Sequence, residues 1–183
     1  MTRDDALALL HEYTQAEALR AHAYAVEAAM RAYARRLSED EELWGIVGLL
    51  HDFDYERFPT LRDHPFKGAE ILRAAGWPEV VVEACLAHAE FTGVERDTPL
   101  KRAVFAVDEL TGLITAVALV RPSKRLAEVE VKSVRKKMKD KSFAAAVNRA
   151  DIVRGAEEMG LSLDEHIGVV LEAMQGVADR LGL

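Results

Sequence analysis

Along most of the chain, apolar residues recur every three or four positions, the spacing of a single buried stripe on an α-helix. Leu19, His22, Val26, Met30, Tyr33 and Leu37 form the clearest stripe. Thr14 followed by Glu17 predicts a capping box at its start. Asp40, Glu41 and Glu42 stand where a helix N-terminus favours acids. The helix they open runs through Trp44, Val47 and Leu50 and ends at the pair His51-Asp52. After the polar link DYERFPTLRD, His64-Pro65 begins a helix through Ile71 and Leu72 that stops at Gly76. Pro78 takes the first turn of the next helix, where its missing N–H costs little. Val81, Ala84, Cys85 and His88 share one face of that helix.

Thr98-Pro99 opens the longest pattern, Leu100 to Val120, which is apolar almost all round and predicts a central helix buried on most sides. Arg121-Pro122 ends it. Residues 123–142 read as short amphipathic pieces rich in Lys and Arg. Within them EVEVKSV (128–134) alternates briefly, but it is too isolated to found a sheet. Two helices, at about 149–159 and 163–181 with Gly160 between them, close the chain. The pattern contains no repeat and no low-complexity linker. It predicts an all-α fold, one bundle of about eight to ten helices spanning residues 1–183.

Half the residues are apolar and 30% are charged, a balance that fills a core and excludes disorder as the main state. Net charge is −7, from 24 Lys and Arg against 31 Asp and Glu, which argues against nucleic acid as a partner. The longest uncharged apolar stretch, Leu110 to Val120, is too short to span a bilayer. The acidic N-terminus MTRDDALALL does not read as a secretory signal. The single cysteine, Cys85, forbids an intrachain disulfide and suits a reducing compartment. Together these predict a soluble cytoplasmic protein without a membrane partner.

The chemistry concentrates in His22, His51, Asp52, His64, His88 and Asp108, each on its own helix or helix end except the adjacent pair. His22 and His88 lie on apolar stripes, so their imidazoles point inward and need partners. Asp108 is an acid within the otherwise apolar AVFAVDELTGLITAVALV, where an unpaired carboxylate costs several kcal/mol. Inward nitrogen and oxygen ligands on neighbouring helices are how bundles build metal sites. Adjacent His51 and Asp52 point differently around a helix end and offer two ligands at one locus, where exposed carbonyls favour a cation. Imidazole and carboxylate without thiolate suit a divalent ion of iron, manganese, nickel, cobalt, zinc or magnesium. Cys85 reads as a small core residue.

The series His22, His51-Asp52, Asp108, with GLLHD leading into the pair, resembles the HD-domain phosphohydrolase superfamily over residues 15–120. The resemblance implies that His22, His51, Asp52 and Asp108 bind a divalent metal. The further histidines in HPFKGAEIL and CLAHAEF resemble the subgroup with the order H…HD…H…H…D. There, His64 and His88 would help hold a second metal bridged by Asp52. That subgroup is named for an HDIG tetrapeptide, and this chain has Phe53-Asp54 in place of Ile-Gly. The resemblance leaves residues 121–183 as a C-terminal helical extension without transferable function.

The implied activity is hydrolysis of a phosphomonoester or phosphodiester, nucleotide-like, with metal polarising a phosphoryl oxygen and activating water. Asp52 would act at the centre, Lys67 would contact a phosphate oxygen, and Asp54 would orient water. One or two bound ions would offset two to four of the seven formal negative charges. The competing readings are a metal-stabilised module that binds a nucleotide or protein without turnover, and nucleic-acid binding through the basic run Lys132, Arg135, Lys136, Lys137, Lys139, Lys141, which acidity disfavours. His11 and His166 read as surface or helix-face residues without a role, and that basic run as a solvated amphipathic segment. Tyr24, Tyr33, Phe53 and Phe58 read as core or pocket wall, and Gly112 as a site of close helix approach. An apolar face on the C-terminal helix is suited to a homo-oligomer contact.

Overall fold

The computed structural model describes residues 1–183 as ten α-helices and two 3₁₀ turns, with no strand. The helices are α1 (Arg3–Tyr13), α2 (Glu17–Leu37), α3 (Glu41–Leu50), α4 (Phe66–Ala74), α5 (Glu79–Ala87), α6 (Pro99–Leu119), α7 (Val131–Met138), α8 (Arg149–Glu158), α9 (Leu163–Gln175) and α10 (Ala178–Leu181). The 3₁₀ turns are Glu90–Thr92 and Leu126–Glu128. The all-α bundle expected from the periodicity is present. EVEVKSV enters α7 and buries Val134 instead of pairing as a strand.

Local chemistry fixes most boundaries. The Asp40 carboxylate accepts from the N–H groups of Glu42 and Leu43 at 3.0 and 3.1 Å, satisfying two of the four free donors at the start of α3. Gly76 stops α4 at φ +78°, a backbone angle that a side chain disfavours. The start of α2 departs from the expected Thr14–Glu17 box. Thr14 is buried and its hydroxyl donates to Phe53 O at 2.9 Å, so Glu56 caps α2 from across the fold. Its carboxylate accepts from Gln15 N–H and Ala16 N–H at 2.7 and 3.0 Å. The C-terminal pattern is also split in two: Val177, at φ −125° and ψ 18°, leaves helical geometry between α9 and α10.

The core is built around α2, α3 and α6. From Trp44 to Leu50 every residue of α3 is buried, and α6 buries Val104, Val107, Leu110, Leu113, Ile114 and Val117. A Cβ on Gly48 would lie 2.7 Å from the Glu27 backbone, so glycine allows α3 to press against α2. A Cβ on Gly155 would stand 2.5 Å from Ala106 Cα, which sets the same requirement between α8 and α6. Gly112, expected at a close approach, has open space around it. Glu27 is buried on α2 and held by Arg3, Arg31 and Arg180, with contacts of 2.5, 3.1 and 3.2 Å. No helix is long and apolar enough to cross a membrane.

His166 corrects the surface reading: it is fully buried on α9. Its Nε2–H donates to Ala106 O at 2.9 Å, so Nδ1 is left to accept from the Tyr33 hydroxyl at 2.6 Å. Burial pushes its pKa down to about 4 from 6.5, against the Ala106 bond. The unfolded chain therefore takes up this proton first, and stability falls as pH drops from 6.5 towards 4, by up to about 3 kcal/mol. Denaturant titrations across this range should show that slope in the native protein and a flatter one in His166→Gln. Equal slopes would refute the assignment.

Candidate metal centre

Six ligand-type side chains reach one region from five parts of the fold. His22 comes from the inner face of α2 and Asp108 from the middle of α6. His51 and His88 are the C-terminal caps of α3 and α5. Asp52 follows α3 directly, and His64 stands just before α4. Both capping histidines use the same local device. Nδ1–H of His51 donates to Gly48 O at 2.8 Å, and Nδ1–H of His88 to Cys85 O at 2.5 Å. A carbonyl only accepts, so each Nδ1 holds the proton and each Nε2 presents a lone pair inward.

The atoms form two groups that share Asp52. In the first, Nε2 of His22 lies 3.0 Å and Nε2 of His51 3.5 Å from Asp108 Oδ1, and His51 Nε2 is 3.9 Å from Asp52 Oδ2. In the second, Asp52 Oδ1 lies 3.0 Å from His64 Nε2 and 3.2 Å from His88 Nε2. Within each group, of four and three residues, all ligand atoms lie within 4.8 Å of one another. The two carboxylate oxygens of Asp52 thus face different groups.

This donor set fits a divalent cation. Nε2 of His51 and His22 are 3.3 Å apart, as are Nε2 of His64 and His88. With the Nδ1 protons of His64 and His88 committed on the far side, their two Nε2 lone pairs face each other and need a positive charge between them, from a proton or a metal. The carboxylates respond to the same field. Burial alone would raise Asp52, but His51, His64 and His88 overcome it and hold its carboxyl well below the usual range. Burial likewise opposes ionisation of Asp108, and His22 and His51 bring it down. Burial lowers His64, yet Asp52 and Asp54 carry it up to about 9. His88 moves up for the same reason, through Asp52.

The HD domain family model matches residues 19–113, just over half of the chain. The chain belongs to the HD domain family. No curated protein and no solved structure matches it. In this HD domain the pair that gives the family its name is His51-Asp52, at the junction of the two groups.

Behind His64 stands a support that the sequence pattern did not assign. Asp54 is 1% exposed; its Oδ1 accepts from His64 Nδ1–H and its Oδ2 from Gly68 N–H, both at 2.8 Å. Both oxygens are therefore engaged by protein donors, and Asp54 orients His64 where orientation of water was expected. Gly68 is required there, because a Cβ would lie 2.7 Å from Asp54 Cγ. Lys67 points outward and pairs with Glu70 at 2.8 Å. Cys85 is buried, and burial pushes its thiol well up, as a core residue requires. His11 is exposed and bonds the Tyr24 hydroxyl at 2.6 Å.

A cavity of about 410 Å³ opens onto His64, His88 and Asp108. Phe91, Glu109, Asn148 and Asp151 also line it, and none of them was singled out from the sequence. Only the adjacency of Glu109 to Asp108 could have flagged one of them. Burial and then Asp108 push Glu109 up to about 7. The basic run contributes nothing to this lining; Lys132, Arg135, Lys136 and Lys139 border a different cleft beside Asp164. Gly68→Ala and Asp54→Ala should each lower metal affinity about 10- to 100-fold, as loss of a supporting bond to a ligand does, measured by competition with a chelator. Native affinity in both variants would show that His64 needs no such support.

Proposed function

We propose that this HD domain is a divalent-metal-dependent phosphohydrolase acting on a small phosphorylated, nucleotide-like substrate. His22, His51, Asp52 and Asp108 serve as one ligand set, and His64 and His88 complete a second through Asp52. The observation that carries the reading is the sharing of Asp52, one oxygen toward each histidine group. Iron, manganese, nickel, cobalt, zinc and magnesium all suit imidazole and carboxylate donors. A divalent metal held there supplies Lewis-acid polarisation of a phosphoryl oxygen and lowers the pKa of water.

The chain's own residues do the rest. Gly48 O, Cys85 O and Asp54 fix the tautomers of His51, His88 and His64, which keeps three Nε2 lone pairs aimed inward. The cavity seats the leaving group beside Asp108. In the reaction, water adds at phosphorus, the ester P–O bond breaks, and the alcohol leaves with a proton. Lys67 has no part in the reading, because its ammonium is paired with Glu70 on the surface. Residues 1–183 act as one domain in this reading, since α8 and α9 of the C-terminal extension pack on α6 and α2, and α8 helps wall the cavity. A cytoplasmic setting keeps the single cysteine reduced. The alternative, a binding module without turnover, has less support, because binding alone needs no complete set of six ligand-type side chains.

Elemental analysis of the purified protein, followed by a phosphoester panel with Mn, Fe, Co, Ni, Zn and Mg, tests the reading. Bound metal with turnover of at least one phosphoester is expected, whereas bound metal with no turnover would favour the binding module. Asp52→Ala should lose both metal and turnover, and full retention of both would overturn the site. His64→Ala should lower the metal count from two to one.

A further inference from the structure

The lining of the cavity beside the metal groups falls into two chemical sets. One set is His64, His88 and Asp108, the ligand-type residues where a phosphate would meet a bound cation. Every other charged lining residue is an acid: Glu90, Glu109 and Asp151. Glu90 is already held by Arg96 and Arg154, each at 2.9 Å. Glu109 and Asp151 have only Asn148, whose backbone N–H reaches Glu109 Oε2 at 3.1 Å and whose amide reaches Asp151 Oδ2 at 2.5 Å. A carboxylate accepts about four hydrogen bonds, so both keep free acceptor capacity toward the cavity. Phe91, 48% exposed, adds an aromatic surface to the same wall.

Acids on an open surface would carry no meaning. These share a cavity of ligand size with the metal groups, so a leaving group that fills it alongside the phosphate meets them. Further phosphates or a carboxylate there would face Glu109 and Asp151 with no lysine or arginine in the lining to offset them. An N–H-bearing group would instead be accepted by both carboxylates and could rest against Phe91. Granted the phosphohydrolase reading, we propose that the preferred substrate is a phosphomonoester whose leaving group presents an amino group to Glu109 and Asp151, and that nucleoside polyphosphates are rejected.

The amino group could belong to an aliphatic amine or to a nucleobase, and two substrate pairs separate these sources. With Mn(II)-loaded protein, kcat/KM is compared for 3-aminopropyl phosphate against propyl phosphate, and for cytidine against uridine 5′-monophosphate. One ratio should exceed about tenfold, the worth of a charge-assisted hydrogen bond, and which one does so names the source. Glu109→Gln and Asp151→Asn should bring that ratio towards one. Because both rates are measured on the same preparation, any loss of folded protein cancels. Ratios near one in the native protein, ratios unchanged in both variants, or faster turnover of cytidine triphosphate than of the monophosphate would each overturn the proposal. If no phosphoester is turned over, the phosphohydrolase reading fails separately. Calorimetric titration of the same pairs then still decides the cavity's preference, and equal affinities overturn it.

Discussion

The structure turns on where three imidazole protons are held. His51, His64 and His88 each give their Nδ1 proton to a fixed acceptor, so their Nε2 lone pairs converge on one carboxylate, Asp52. The Nε2 lone pairs of His64 and His88, 3.3 Å apart, repel unless a positive charge lies between them. In a largely buried setting that repulsion is weakly screened. Protonation of His64, raised to about 9, supplies such a charge at neutral pH, and a divalent cation supplies more. The same convergence that would destabilise an uncompensated core therefore creates affinity for a cation, and metal and proton compete for it.

Holding the six groups in place dictates the packing around them. Two of the histidines sit at helix C-termini, where the last carbonyls serve both as proton acceptors and as partial negative charge toward a cation. The α3 C-terminus can reach His22 on α2 because Gly48 lets the two backbones approach. Gly68 does the same for Asp54, and through it for His64. These glycines offer no ligand themselves, and each sets the position of a ligand-type side chain.

What the sequence made legible follows the range of the interactions involved. The helices, the stripe of α2, the buried acid of α6 and the order of the six ligand-type residues all depend on local periodicity or residue type, and the structure brings the six together. The errors share a different cause. Thr14 reads as a cap locally, but its hydroxyl partner is Phe53 O, 39 residues away. His166 reads as helix-face until Tyr33, 133 residues away, and Ala106 enclose it. Asp54 reads as a water-orienting acid until α4 folds back and presents Gly68 N–H. The cavity wall of Phe91, Glu109 and Asp151 joins a 3₁₀ turn, α6 and α8, which no single window of sequence contains.

The charge distribution also bears on how an anionic substrate would enter. The chain is acidic overall, the cavity carries Asp108, Glu109 and Asp151, and its basic run borders another cleft. In that run Lys132 is paired with Glu130 and Arg135 with Asp164, so neither is a free cation aimed at the cavity. Protein side chains therefore offer a phosphate little attraction beyond the histidines themselves. A site with an arginine or lysine clamp would bind phosphate whether or not metal were present. Under the phosphohydrolase proposal, attraction for the phosphate would have to arrive with the cation, so metal occupancy would govern substrate binding as well as chemistry.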